Sequence, residues 1–312
     1  MLPWVPVVPV PLYRRIRGTF SRLRFVQSSC EATLRKVWKE VGLGCLNLLL
    51  LVAIIILAQL WLLKHGTPLL GAAILALLCF AAYAGAAKWI ERRPPTELVN
   101  NRALPEGLAG MALGFALFSV VMGILWALGV YHFAGKGTGD QLAKGFVLAA
   151  LAGILEEILF RGLLFRLSSK IFGTWGALLL TAALFGAAHA GNPGASVSSS
   201  LAIALEAGVL LGAAYAATTR LWLPIGMHIG WNFTEGSLFS MSISGTTAHS
   251  GMIHGTLSGS QLLTGGQFGP EASIVAVLVC LAAALFLLQL TVKRGLVQPP
   301  VWSRKRTTIT TY

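Results

Sequence analysis

Gly145-Phe146-Val147-Leu148-Ala149-Ala150-Leu151-Ala152-Gly153-Ile154-Leu155-Glu156-Glu157-Ile158-Leu159-Phe160-Arg161 is an unbroken apolar run until its last six residues, which carry three charges. A helix needs about 20 apolar residues to cross a bilayer. A charge inside such a helix costs at least a few kcal/mol, roughly, on insertion scales. The stretch therefore reads as one membrane span with a polar centre. Outward from it, apolar runs recur at about 42–63, 69–87, 107–131, 145–166, 173–190, 200–218, 221–239 and 272–291. Lys64-His65-Gly66, Glu91-Arg92-Arg93-Pro94-Pro95 and Gly191-Asn192-Pro193-Gly194 punctuate them. The expected fold is all-α, a polytopic transmembrane helix bundle of about eight spans.

Composition agrees. Of 312 residues, 55% are hydrophobic and 11% charged, and the mean hydropathy is +0.74. Disordered chains lack this much apolar surface, and soluble domains carry about twice this share of charge. The net charge of +13 points to membrane orientation rather than nucleic acid, since basic residues collect in cytoplasmic loops. With the N-terminus inside, 21 of the 24 Lys and Arg residues fall on one side, which predicts an integral, multi-pass protein of the cell (inner) membrane with both termini cytoplasmic. Cys30, Cys45, Cys79 and Cys280 form no CxxC pair, so neither a disulfide framework nor a thiolate zinc site is expected. The Pro-rich opening at 1–10 lacks the long apolar core of a cleavable signal. Four regions follow: a basic cytoplasmic arm at 1–41, transmembrane helices at 42–140, a core at 141–292 that holds the charged run above, and a basic cytoplasmic tail at 293–312. The segment 240–271 holds no Lys or Arg and is expected outside or lining a cavity.

Polar residues inside the spans are the candidate functional groups. On a helix, Glu157 and Arg161 share a face at i and i+4, while Glu156 projects about 100° away. One carboxylate is then neutralised by arginine and the other is left for proton chemistry. His189 closes the fifth run within Phe185-Gly186-Ala187-Ala188-His189, and His228 and Asn232 share a face in the seventh. Singly, such groups are more often interhelical glue. Together they hold what peptide hydrolysis needs: a carboxylate or carboxylate–His pair to activate water and donors to hold an oxyanion. Glu206 reads as a bundle-interior contact. Glu235, His65, His132, His249 and His254 read as solvated. No Gly-x-Ser-x-Gly elbow with a partner His, intramembrane Asp pair or His-Glu-x-x-His helix occurs.

Glu156-Glu157-x-x-x-Arg161, Phe185-x-x-x-His189 and His228-x-x-x-Asn232, in that order, resemble the CPBP intramembrane proteases (CAAX protease and bacteriocin-processing, or Abi). Gly208-x-x-x-Gly212, Thr219-Arg220-Leu221-Trp222-Leu223-Pro224-Ile225 and Gly265-Gly266-Gln267-Phe268-Gly269-Pro270-Glu271 add to the likeness, which runs from about Leu142 to Leu290. The resemblance implies that Glu156 activates water with His189, that His228 and Asn232 hold the oxyanion, and that Glu157 with Arg161 supports the geometry. It admits two chemistries, a zinc ion on Glu156, His189 and His228, or a metal-free glutamate-activated water. Its expected partners are a peptide or membrane-protein substrate, a CAAX tail or bacteriocin leader among them, and membrane lipid. A non-proteolytic member of the fold, acting in bacteriocin immunity or as a scaffold, is the alternative. Helical rise puts His228 near the inner end of its span and His189 near the outer end of its own. A common site therefore requires a short fifth span or a deeper start to the seventh, with Asn192-Pro193-Gly194 and Pro224 as the expected breakers.

Overall fold

The computed structural model describes residues 35, 38–47, 49–54, 69–98, 100–246 and 251–303. Residues 38–47 and 49–54 are helical; the rest of the first expected span, with His65, lies outside the described residues. The ordered chain then runs through α1 (Leu69–Trp89), α2 (Ala103–Ala127), β1 (Tyr131–Lys136), α3 (Leu142–Glu157), α4 (Arg166–Ala188), α5 (Val197–Thr218), α6 (Trp222–Phe233), β2 (Ile253–Leu257) and α7 (Ile274–Lys293). Among the described residues, four helices are long and apolar enough to cross a membrane: Leu70–Trp89, Ala103–Ala127, Val197–Thr218 and Ile274–Lys293. Large apolar side chains such as Leu77, Leu108, Leu179, Leu201, Leu278 and Phe286 are exposed around the bundle, as a lipid-facing surface requires.

Among the described residues, three turns are wider than α-helical. Ile158–Phe165 is a π-helix joining α3 to α4, Ala204–Gly208 lies inside α5, and Thr234–Leu238 extends α6. Each contains or adjoins a buried charge: Glu157 and Arg161, Glu206, and Glu235. Such turns are frequent at functional sites, and no periodicity of apolar residues announces them. α4 breaks at Gly173, whose φ of 70° and ψ of −177° sit where only glycine is comfortable. Pro224 does not break α6 but lies in its first turn, where a missing N–H is harmless.

Not everything is helical. β1 and β2 form an antiparallel ribbon with a register shift at Phe133/Gly135, a departure from the all-α expectation. The ribbon ties the end of α2 to the 251–257 segment, and Ser258 N–H donates to Val130 O (2.9 Å). Its pairing is non-local, so it is invisible to a reading of local hydropathy.

The helix that carries His228 and Asn232 is set by glycine. A Cβ on Gly110 would lie 2.4 Å from Leu223 O, and one on Gly114 would lie 2.1 Å from Met227 O. Reciprocally, a Cβ on Gly226 would meet Gly107 O at 2.2 Å, and one on Gly230 would meet Met111 O at 2.2 Å. Small residues at i and i+4 on both α2 and α6 bring the backbones into contact, which is how helices associate where lipid removes the hydrophobic drive.

Connections segregate to two ends. At one end, Glu91 accepts from Arg93 Nε (2.7 Å), Arg166 Nη2 (2.8 Å) and Asn47 Nδ2 (2.8 Å). Glu97 accepts from Arg93 Nη2 (2.7 Å) and Nη1 (2.9 Å) and touches the Tyr83 hydroxyl. Thr174 and Gln298 join the same end (2.9 Å), as does Arg294 on Ala217 O (2.9 Å). At the other end lie the ribbon, the 189–196 turn and the 239–273 segment. Burial pushes the Glu91 carboxyl up, but Arg166, Arg93 and Asn47 together outweigh it and hold it below the usual carboxylate range. Glu97 is likewise pushed up by burial and held down, on balance, by Arg93 and Tyr83.

Two outcomes follow from these contacts. Gly114→Ala drives a methyl into Met227 O and is expected to lose about 1–3 kcal/mol, as overpacking does. Gly123→Ala, with nothing within 4 Å of the new Cβ, is expected to leave the melting temperature in detergent unchanged. Because Glu91 and Glu97 have depressed folded-state pKa values, their contribution is present above the unfolded carboxylate pKa of about 4.3 and is lost as pH falls through the lower folded values. Thermal denaturation in detergent across pH 3–7 should therefore fall steeply at the acid end, and Glu91→Gln should flatten that fall.

Candidate functional site

The centre is a glutamate shared by two helices. Glu157 Oε1 accepts from Arg161 Nη1 at 2.6 Å and lies 3.1 Å from His228 Nδ1. Glu157 and Arg161 are fully buried. Arg161 Nη2 donates to Ala207 O and Gly208 O (3.1 Å each), inside the π turn of α5. Its guanidinium lies 4.8 Å from the centre of the Phe185 ring, within cation–π range. One side chain thus joins the α3–α4 helix to α5 and α4 at once. A lone guanidinium in an apolar bundle would be expensive; here a carboxylate, two carbonyls and an aromatic face surround it.

Phe185 gives the second motif its physical sense. Its ring is 4.7 Å from His189, one turn on, and 6.3 Å from His228, so it seats both imidazoles and the arginine against one surface. His189 Nδ1 is 2.8 Å from Phe185 O. A carbonyl only accepts, so Nδ1 carries the hydrogen and Nε2 is left free. That Nε2 is 3.9 Å from Glu156 Oε2, and this buried oxygen has no hydrogen-bond partner. The gap exceeds a direct hydrogen bond and is within reach through one water.

Glu156, His189, Asn192, His228, Asn232, Ser237 and Ser244 line one cleft of about 340 Å³. The six sequence-derived candidates divide as their helical faces predicted. Glu156, His189, His228 and Asn232 reach the cleft, whereas Glu157 and Arg161 stand behind His228. The separation of the two histidines is resolved by a short helix. From Thr174 to Ala188 the run after the Gly173 break is fifteen residues, about 22 Å, less than the roughly 30 Å hydrocarbon core. His189, at the end of this short helix, lines the same cleft as His228.

Other residues at the cleft escaped sequence reading. Asn192, read only as a breaker, donates from Nδ2 to Ser244 O (2.9 Å). Ser244 N donates to Glu271 Oε1 at 2.5 Å. Glu206 and Glu271 line a second, inner chamber with room for water that shares His189, His228, Asn232 and Ser244 with the cleft. Glu206 is buried, as a bundle-interior contact should be. Glu235 corrects the expectation of a solvated side chain, since it is completely buried with neither carboxylate oxygen hydrogen-bonded. Its place at a span end suggested water, but the 239–246 and 268–271 segments fold over it. His132 is exposed and bonds Ser258 Oγ (2.8 Å), and His254 is half-buried; His249 lies outside the described residues.

Both imidazoles are oriented through Nδ1, which is the outer-shell arrangement a zinc site uses. Yet among the described residues no three His, Cys, Asp or Glu side chains converge closely enough to hold a metal ion. As placed, Glu156, His189 and His228 do not fit a preformed zinc site.

Residues 138–234 match the family model of type II CAAX prenyl endopeptidase Rce1-like proteins. The resemblance to the CPBP and CAAX protease family is borne out by that match. The matched segment contains Glu156, Glu157, Arg161, His189, His228 and Asn232. No curated protein and no solved structure matches the chain.

Arg161→Met would leave Glu157 buried without its cation, and the melting temperature in detergent is expected to drop by the equivalent of about 3–5 kcal/mol. Glu157→Gln combined with Arg161→Met removes both charges and should recover part of that loss, a non-additivity that a double-mutant cycle measures.

Proposed function

We propose, with the match of residues 138–234 as premise, that this chain is an intramembrane endopeptidase of CAAX type that cleaves peptide bonds with a glutamate-activated water. One observation carries the reading. A partnerless carboxylate oxygen of Glu156 faces a free imidazole nitrogen of His189 across 3.9 Å, in a cleft also lined by His228 and Asn232. Both facing atoms are acceptors, so one water can donate a hydrogen to each and turn its lone pair to a substrate carbonyl.

The step balances without an external reactant. Glu156 takes a proton as the water oxygen bonds to the carbonyl carbon, and it returns that proton to the amine nitrogen as the C–N bond breaks. His189 holds the water. Asn232 donates from its amide to the developing oxyanion, and His228 in its cationic form, steadied by Glu157, donates from Nε2–H. Glu157 and Arg161 hold His228 and touch no substrate. A zinc ion, were one bound at this cleft, would supply Lewis-acid polarisation and a more acidic water; the roles given to these side chains do not depend on it.

The same reading takes the bundle as eight spans in the cell membrane with both termini cytoplasmic, supported by the lopsided distribution of Lys and Arg. Substrates are then peptide segments at the membrane: a prenylated tail, a leader peptide or a membrane protein.

Glu156→Gln keeps the shape but removes the base, and cleavage is expected to fall about 10²–10⁴-fold with unchanged thermal stability. Mass profiling of peptides released from membrane extracts reads the outcome, and an unchanged product profile rules the assignment out. Metal analysis of the purified protein, with activity measured after chelation, separates the zinc and metal-free chemistries.

A further inference from the structure

A polar cavity lies at the opposite end of the bundle from the ribbon. It holds about 190 Å³ between the start of α4, the end of α5, the 96–98 turn and the segment after α7. Arg166 and Lys170 on α4 line it, with hydroxyls from Ser169, Thr174, Tyr215 and Thr219. The acid in its wall, Glu97, is already occupied by Arg93 and Tyr83.

Arg166 is the unusual member. Its side chain is 11% exposed. Nε donates to Gly162 O (2.7 Å) and Nη2 to Glu91 Oε1 (2.8 Å), while Nη1 is buried without a partner. A buried guanidinium nitrogen with unspent hydrogens is costly. Phosphate oxygens are the acceptors that the guanidinium fork fits best, beside carboxylates.

The charges favour an anion. Arg93, Arg166 and Lys170 meet Glu40, Glu91 and Glu97 in ion pairs, three cations against three carboxylates. Arg294 adds a fourth cation. Its Nη1 donates to Ala217 O (2.9 Å), next to Ala216 in the cavity wall, and no carboxylate pairs with it among the described residues. One positive charge is left over.

Tryptophans give the depth. Trp38, Trp89, Trp175 and Trp302 are all exposed, and all belong to this end. Trp38 and Trp89 each precede an acid of the ion-pair group by two residues, Glu40 and Glu91, and Trp175 follows Thr174. Trp302 packs edge-on against Phe172, with ring centres 6.4 Å apart. Exposed tryptophans collect at the membrane–water interface, so the cavity sits at the level of lipid headgroups.

We propose that this cavity binds the phosphate of an anionic phospholipid, with Arg166 and Lys170 as its cationic donors. Inorganic phosphate offers the same oxygens without acyl chains, and a zwitterionic phospholipid offers them without net charge. The site goes beyond the endopeptidase reading and depends on no activity.

Native mass spectrometry and thermal melting of the full-length protein in detergent test it, with phosphatidylglycerol, phosphatidylcholine or inorganic phosphate added. Phosphatidylglycerol is expected to stay bound and to raise the melting temperature more than phosphatidylcholine does. Lys170→Gln should weaken phosphatidylglycerol binding about fivefold, the scale of one basic residue at an anionic surface. Arg166→Gln should weaken it about tenfold, as loss of a charged hydrogen bond does. Lys88→Gln removes an exposed charge from the same end, outside the cavity wall, and should change binding less than twofold. Stabilisation by inorganic phosphate that Lys170→Gln abolishes supports the phosphate site and names free phosphate as its source. Equal binding of the two lipids with no effect of inorganic phosphate, or equal losses in Lys170→Gln and Lys88→Gln, overturns the proposal. If Arg166→Gln does not fold, the two lysine variants decide alone. A chain with no peptidase activity would sink the proposed function and leave the lipid result standing.

Discussion

Arg161 is the group on which the arrangement turns. It is completely buried, it neutralises Glu157, and through Glu157 it fixes the Nδ1 side of His228. It also donates to Ala207 O and Gly208 O within a π turn, where carbonyls are displaced from the regular helical ladder and need other donors. The irregular turn at 158–165 delivers the guanidinium, and the irregular turn at 204–208 receives it. Each distortion would be an isolated weakness in a lipid-exposed helix. Inside the bundle they are complementary.

A single charged contact can hold that much only because the helices around it cannot slide. The glycines of α2 and α6 lock those backbones in register, and α6 is the helix that presents His228 and Asn232. A shift of one residue would rotate His228 by about 100°, off Glu157 and out of the cleft. The packing between α5 and α7 is of the same small-residue kind, with Ala213, Ala214 and Ala217 against Ala276, Cys280 and Ala284 in one buried cluster. The bundle is thus rigid where the polar groups meet, which is what a site demanding sub-ångström placement requires.

Much of this was legible in the chain itself, for a physical reason. Lipid leaves hydropathy little freedom, so the positions of the long apolar runs survive into α1, α2, α5 and α7, with ends shifted by up to about four residues, the usual uncertainty. The Glu157–Arg161 relation was legible because it is a helical i, i+4 contact, local in sequence. What escaped is non-local or non-α. The β1–β2 ribbon joins residues more than a hundred positions apart. The π turns have no compositional signature. Glu235 was misread because its sequence neighbours place it at a span end, while the cover that buries it comes from the distant 268–271 segment. Asn192 and Ser244 are polar residues in turns, indistinguishable in sequence from ordinary loop residues until the chain brings them together.

The two carboxylates of Glu156 and Glu157 differ by one position, yet geometry separates their tasks. Glu157 faces the bundle and meets a cation and an imidazole; Glu156 faces the cleft, a third exposed, with one oxygen left without a partner. Adjacent residues on a helix point about 100° apart, so a pair is the smallest device that can put one carboxylate in a structural network and another in a wet cavity at the same depth. A single glutamate would have to choose between holding His228 and meeting water. The duplication is therefore what lets one short stretch of helix hold a positioned imidazole on one wall and present a free carboxylate on the other.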